Sequence, residues 1–240
     1  MSRAGIIVST PFECAEVLDA LTRRRTRTVA GVQLISGRLS GKSPGEPVTV
    51  CISGAGKANA ARAATLLIAH CRPACLINFG VGGAYPSSGL GVGDIVVADL
   101  ESYGDEGLRL KNDFRDMADL GLPLLLAQGE TYCNSFPLLL PEKLRREVRI
   151  GGFVTVSACT GTLAEGVLME RRWHAICENM EGAAIAHTAL ASGVSLIEFR
   201  SISNIIKDRA GAPLSRNDLH LAASAAQTFF LEAWHNNLFS

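Results

Sequence analysis

Short apolar runs alternate with longer stretches of helical periodicity along most of this chain. Residues 5–8 are continuously apolar, and Cys14, Val17, Leu18 and Leu21 then recur at helical spacing within residues 13–23. Residues 47–53 repeat the first pattern. Gly54-Ala55-Gly56-Lys57 forms a tight turn that leads into an alanine-rich helix from Ala58 to His70. Further strands are predicted at 74–79, 93–98, 153–157 and 194–202, with small-residue helices at 181–190 and 218–230. Gly80-Val81-Gly82-Gly83 reads as a turn where backbone passes close to a ligand. Residues 104–136 are irregular and read as loop and lid. Strands that are apolar on both faces need cover on both faces. The pattern therefore predicts an α/β, three-layer αβα architecture around a mixed, largely parallel sheet. With no repeat or low-complexity tract, residues 1–240 read as a single domain.

Composition narrows the classes of partner. Twenty-three basic residues balance twenty-three acidic ones, so no overall charge draws the chain to nucleic acid or to an anionic membrane. The one basic run, Arg23-Arg24-Arg25-Thr26-Arg27, reads as a solvated helix end or loop. The seven cysteines follow no zinc spacing and read as reduced core residues of a cytoplasmic protein. No secretory leader is legible, and no apolar stretch approaches the ~18 residues that span a bilayer. The five histidines are scattered without metal spacing.

Two glycine-rich segments invite cofactor readings and fail them. Around Gly54-Ala55-Gly56-Lys57, Cys51 and Ala58 stand where a P-loop needs Gly and Ser or Thr. In Gly80-Val81-Gly82-Gly83-Ala84-Tyr85, Tyr85 takes the place of the third fingerprint glycine. Neither a metal nor an organic cofactor is expected.

Five segments in order carry a resemblance. They are Ser53 to Lys57, Asn78 to Ala84, Gly93-Asp94-Ile95-Val96-Val97, Glu178-Asn179-Met180-Glu181-Gly182-Ala183-Ala184, and Arg200-Ser201-Ile202-Ser203-Asn204. Over nearly its whole length the chain resembles the purine nucleoside phosphorylase / nucleosidase superfamily. Residues 101–107 and 155–162 look like its futalosine hydrolase branch. The resemblance implies the phosphorylase/hydrolase-like αβα fold and a homo-oligomer. It also implies hydrolysis of a nucleoside, releasing hypoxanthine from futalosine.

It implies roles as well. Breaking an N-glycosidic bond puts positive charge on the ribose and negative charge on the base, so carboxylates are wanted near the sugar and hydrogen-bonding groups near the base. By resemblance Glu181 binds the ribose hydroxyls, Met180 packs on the sugar, and Glu13 is the general base, with Glu16 as an alternative. Arg200 positions water or phosphate. Asn179, Gly82, Gly83, Ser203 and Thr160 complete the substrate site. Asn204 stands where adenine-specific relatives carry Asp. Its amide can donate to a 6-oxo group and accept from N7–H, which suits hypoxanthine. Asn78 stands where hexameric phosphorylases carry Arg, and the lack of that cation favours water over phosphate. Arg109, Lys111 and Arg115 are candidates for the acidic arm of such a substrate. Read without the resemblance, Glu13 and Glu181 are first-turn helix acids, Arg200 is a buried ion-pair partner, and Asn204 is a turn residue.

Overall fold

A computed structural model describes residues 4–40, 45–111, 113–211 and 214–240. The chain begins with β1 (Ala4–Val8), a 3-10 turn at Pro11–Glu13, α1 (Ala15–Asp19), β2 (Thr22–Val29), β3 (Val32–Leu39) and β4 (Glu46–Ile52). Next come α2 (Lys57–Cys71), β5 (Cys75–Ala84) and β6 (Ile95–Tyr103). Two small ribbons follow, β7 (Gly107–Arg109) with β8 (Phe114–Asp116) and β9 (Leu125–Ala127) with β10 (Glu130–Tyr132). The remainder is β11 (Ser135–Pro137), α3 (Glu142–Glu147), β12 (Arg149–Thr155), α4 (Leu163–Trp173), β13 (Ala175–Asn179), α5 (Gly182–Ala191), β14 (Ser195–Ile205) and α6 (Arg216–His235).

Ten strands join in one mixed sheet in the order β11-β6-β12-β13-β5-β1-β4-β3-β2, with β14 pairing both β5 and β6. The pairings β4-β1-β5-β14 and β6-β12-β13 are parallel. The closures β13-β5 and β14-β6 are antiparallel, as are the marginal strands β11, β3 and β2. Because β14 bridges β5 and β6, the strands β5, β14, β6, β12 and β13 form a closed ring of pairings. Successive residues of β1 serve opposite faces. Ile6 and Val8 pack with Phe79, Phe199 and Phe230 towards α6, while Ile7 packs with Leu67 and Leu76 under α2 and α5. Both sheet faces are thus covered, as the apolar runs predicted.

Four expectations are corrected. The 13–23 helix is shorter, and the arginine run lies on β2, an exposed edge strand. β2 buries almost nothing, so it shows no apolar alternation, and its cations keep a free edge from pairing with other strands. Gly80 to Gly83 is not a turn, because β5 continues through it to Ala84. The glycines are there for space. A Cβ at Gly80 would strike Glu13 Oε1, and one at Gly82 would lie 2.5 Å from Cys177 Sγ. Finally, residues 104–136, read as loop and lid, also carry two short antiparallel ribbons. No helix among the described residues is long and apolar enough to cross a membrane.

Candidate active site

The carboxyl ends of β1, β5, β13 and β14 open into one cleft. Its lining includes Glu13, Gly82, Gly83, Met180, Glu181, Ser203 and Asn204. These residues are scattered over nearly two hundred positions of sequence, and the sheet brings them together.

Glu13 ends the 3-10 turn that follows β1 and is 2% exposed. Its Oε2 accepts from Ser9 Oγ (2.5 Å), Thr10 Oγ1 (2.5 Å) and the Thr10 N–H (3.0 Å), while Oε1 accepts from the Val81 N–H on β5 (3.0 Å). The same carboxylate therefore caps its own turn and is tied to the glycine strand across the cleft. Glu16 is exposed and accepts from Ser224 on α6 at 2.8 Å, outside the cleft lining. The geometry separates the two glutamates that the sequence left open.

Glu181 precedes α5 but does not cap it with its side chain. That task falls to Asn179, whose Oδ1 accepts from the N–H groups of Glu181 (2.9 Å) and Gly182 (2.7 Å). The Glu181 carboxylate is thereby free for the cleft. Its Oε1 accepts from the Gly56 N–H at 2.8 Å, and its Oε2 lies 3.9 Å from Arg200 Nη1. Burial pushes its pKa up, against the pull of Arg200 and the Gly56 N–H. Gly56 has φ 92°, a left-handed backbone that glycine adopts without strain.

Arg200, 1% exposed, is not part of the lining but lies beneath it. Its Nε and Nη2 donate to Glu198 Oε1 at 3.0 and 2.7 Å, and Nη2 donates to Asn78 Oδ1 at 2.5 Å. Asn78 in turn donates to the Ile7 carbonyl at 2.8 Å. Asn78 thus helps to orient the Arg200 guanidinium.

Glu198 belongs to a buried layer that sequence reading missed. Glu101 and Glu198 are both fully buried. Thr155 Oγ1 donates to Glu101 Oε2 at 2.9 Å, and the Asn179 amide donates to Glu101 Oε1. Burial, then the adjacent Glu198 charge, pushes the Glu101 carboxyl well above the usual range. A Cβ at Gly182 would strike Glu101 Oε1 and lie 2.5 Å from Glu198 Oε1. Gly182→Ala is therefore expected to destabilise the protein by about 1–3 kcal/mol through overpacking. Thermal unfolding reads this directly, and an unchanged midpoint would count against the tight seat. The sequence signal for this layer was weak, since two acids inside apolar strands give no periodic mark.

Asn204 sits at the end of β14, just past a register shift between Ile202 and Asn204 that turns this stretch towards the cleft. Its Oδ1 accepts from Ser203 Oγ at 3.1 Å, which also donates to the Gly82 carbonyl at 3.1 Å. Thr160 does not line this cleft. Its N–H donates to Glu178 Oε1 at 2.8 Å and its hydroxyl donates to Glu178 Oε2. Neither Arg109, Lys111 nor Arg115 lines the cleft either. Arg109 lies near Glu165 and Arg115 pairs with Asp113, whereas Arg209 supplies the cation of the lining.

Residues 3–233 match the model of a family described as the phosphorylase superfamily. The chain belongs to the phosphorylase superfamily. Within that superfamily it is 36% identical over 166 residues to a futalosine hydrolase of Thermus thermophilus, covering 66% of this chain and 70% of that protein. Solved structures share the superfamily fold. A Streptococcus pneumoniae MTA/SAH nucleosidase in complex with 8-aminoadenine superposes with TM-score 0.79 at 23% identity, covering 96% of this chain and 97% of its own. The futalosine hydrolase of Helicobacter pylori gives 0.78 at 17% identity, covering 95% of each chain.

Proposed function

We propose that this chain is a futalosine hydrolase. It cleaves the N-glycosidic bond of futalosine to hypoxanthine and dehypoxanthine futalosine, a step towards menaquinone. The observation that carries the proposal is the convergence of Glu13, Glu181 and Asn204 on one cleft in a chain 36% identical to a futalosine hydrolase.

Each residue then has a physical task. Glu181 accepts hydrogen bonds from the ribose hydroxyls, and Met180 packs on the sugar. Glu13 takes a proton from water as its oxygen bonds to the anomeric carbon. The C–N bond breaks with its electron pair going to the base, which takes up a proton from solvent and is held by hydrogen bonds with Asn204. Positive charge developing on the ribose is met by the carboxylates. Arg200 acts from beneath, holding Glu181 in place as its counter-charge. Among the described residues the charged lining comprises Glu13, Glu178 and Glu181 against the cation Arg209, a balance that disfavours a phosphate dianion and favours water. The active unit is proposed to be at least a homodimer, which analytical sedimentation would read.

The test is base release from futalosine, aminodeoxyfutalosine, inosine and methylthioadenosine, each with and without phosphate. Hypoxanthine release from futalosine at a rate indifferent to phosphate is expected. Strict phosphate dependence would make the enzyme a phosphorylase. Preference for methylthioadenosine would remove the argument from Asn204.

A further inference from the structure

The reaction as proposed has no use for Glu178, yet this carboxylate lines the cleft and is 5% exposed. Its place follows from the sheet. At Gly83, β5 is paired with Glu178 of β13 on one side and with Asn204 of β14 on the other. Directly paired residues of neighbouring strands direct their side chains to the same face. Gly83 has no side chain, so the row reads carboxylate, bare floor, amide. A Cβ at Gly83 would crowd Asn204, 3.1 Å from its Nδ2. With strands spaced ~4.8 Å apart, the two outer backbones stand ~10 Å apart. A purine lying over the glycine can be met by a hydrogen-bonding group at each edge.

The surroundings of Glu178 fix its hydrogen-bonding sense. Thr160 donates its N–H to Oε1 and its hydroxyl to Oε2, and Tyr85 donates its hydroxyl to Oε2 at 3.4 Å. Oε1 accepts one hydrogen bond in the structure and has a second lone pair. What it offers a ligand is an acceptor. A 6-oxopurine carries hydrogen on N1, whereas a 6-aminopurine presents a lone pair there, which a carboxylate repels.

We infer that Glu178 is a specificity-determining residue that accepts the N1–H of a 6-oxopurine, across the Gly83 floor from Asn204. The inference rests on the nucleosidase reading and deepens it. Asn204 contacts the N7 and 6-oxo side of the base while Glu178 reads the opposite edge. Glu178 thus disfavours a 6-aminopurine through lone-pair repulsion at N1.

The test is direct binding of free hypoxanthine and free adenine, by calorimetry, to the wild type and to Glu178→Leu. Leucine is close in volume and removes the acceptor altogether, and thermal unfolding checks that the variant is folded. Hypoxanthine affinity is expected to fall about ten-fold or more, while adenine affinity stays unchanged or rises. Adenine is the internal control for the pocket's integrity. A parallel loss of both bases, or no change in either, overturns the assignment. The parent reading is tested separately, since a wild type that releases no base from any 6-oxopurine nucleoside defeats the nucleosidase proposal whatever Glu178 does in the binding assay.

Discussion

Glu13→Gln is expected to lower kcat by about 10²- to 10⁴-fold, the range that a positioned general base contributes. The amide keeps the size of the side chain but cannot take a proton from water. It also gives up acceptor capacity that now serves Ser9, Thr10 and Val81, so some loss of stability accompanies the loss of rate. Glu16→Gln is the control, because Glu16 is exposed and engaged with α6. It should change kcat less than about two-fold. Steady-state rates of hypoxanthine release, with unfolding midpoints for both variants, check the prediction. Comparable losses in the two variants would remove Glu13 from its role as base.

Glu198→Ala is expected to cost about 3–5 kcal/mol of folding stability, the usual cost of leaving a buried charge without its partner. Glu198 is fully buried and takes two hydrogen bonds from Arg200, itself 1% exposed. Without it, the nearest carboxylate to Arg200 is that of Glu181, 3.9 Å from Nη1. The guanidinium would then be drawn to the ribose-binding group, so KM should rise in whatever fraction stays folded. Glu101→Gln is the contrasting variant. Burial and the neighbouring Glu198 charge push the Glu101 carboxyl towards its neutral form, so a neutral amide is the milder change. Chemical denaturation of the two variants separates the cases. If Glu101→Gln costs as much as Glu198→Ala, the neutral acid has been assigned to the wrong residue.

How far the site was legible varies residue by residue. Asn204 and Glu181 stood in segments that the resemblance singled out, and both line the cleft. Arg200 was singled out too, but its side chain lies below the lining, because Glu198 two positions earlier on the same face captures it. Asn179 read as a substrate contact; it lines the cleft, while its side chain caps α5 and donates to Glu101. Thr160 lies under the loop with its polar atoms turned to Glu178. Such differences concern which way a side chain points, and a list of neighbours in sequence does not record that.

The sequence by itself determined the alternation of strands and helices, cover on both sheet faces, and the segments that meet at the site. Apolar runs of strand length and alanine-rich periodicity are local properties, and burial of apolar surface acts on them wherever the chain is placed. Only the tertiary structure decided that β5 runs through its glycines, that β13 forms at all, and that β14 closes a ring with β6. It also placed Glu178, Gly83 and Asn204 in one row and stacked Glu101, Glu198 and Arg200 beneath Glu181. Those outcomes depend on which strands become neighbours and in what register. A register shift of one residue sends a side chain to the opposite face, and the pairing energy that chooses the register is shared between segments a hundred or more residues apart.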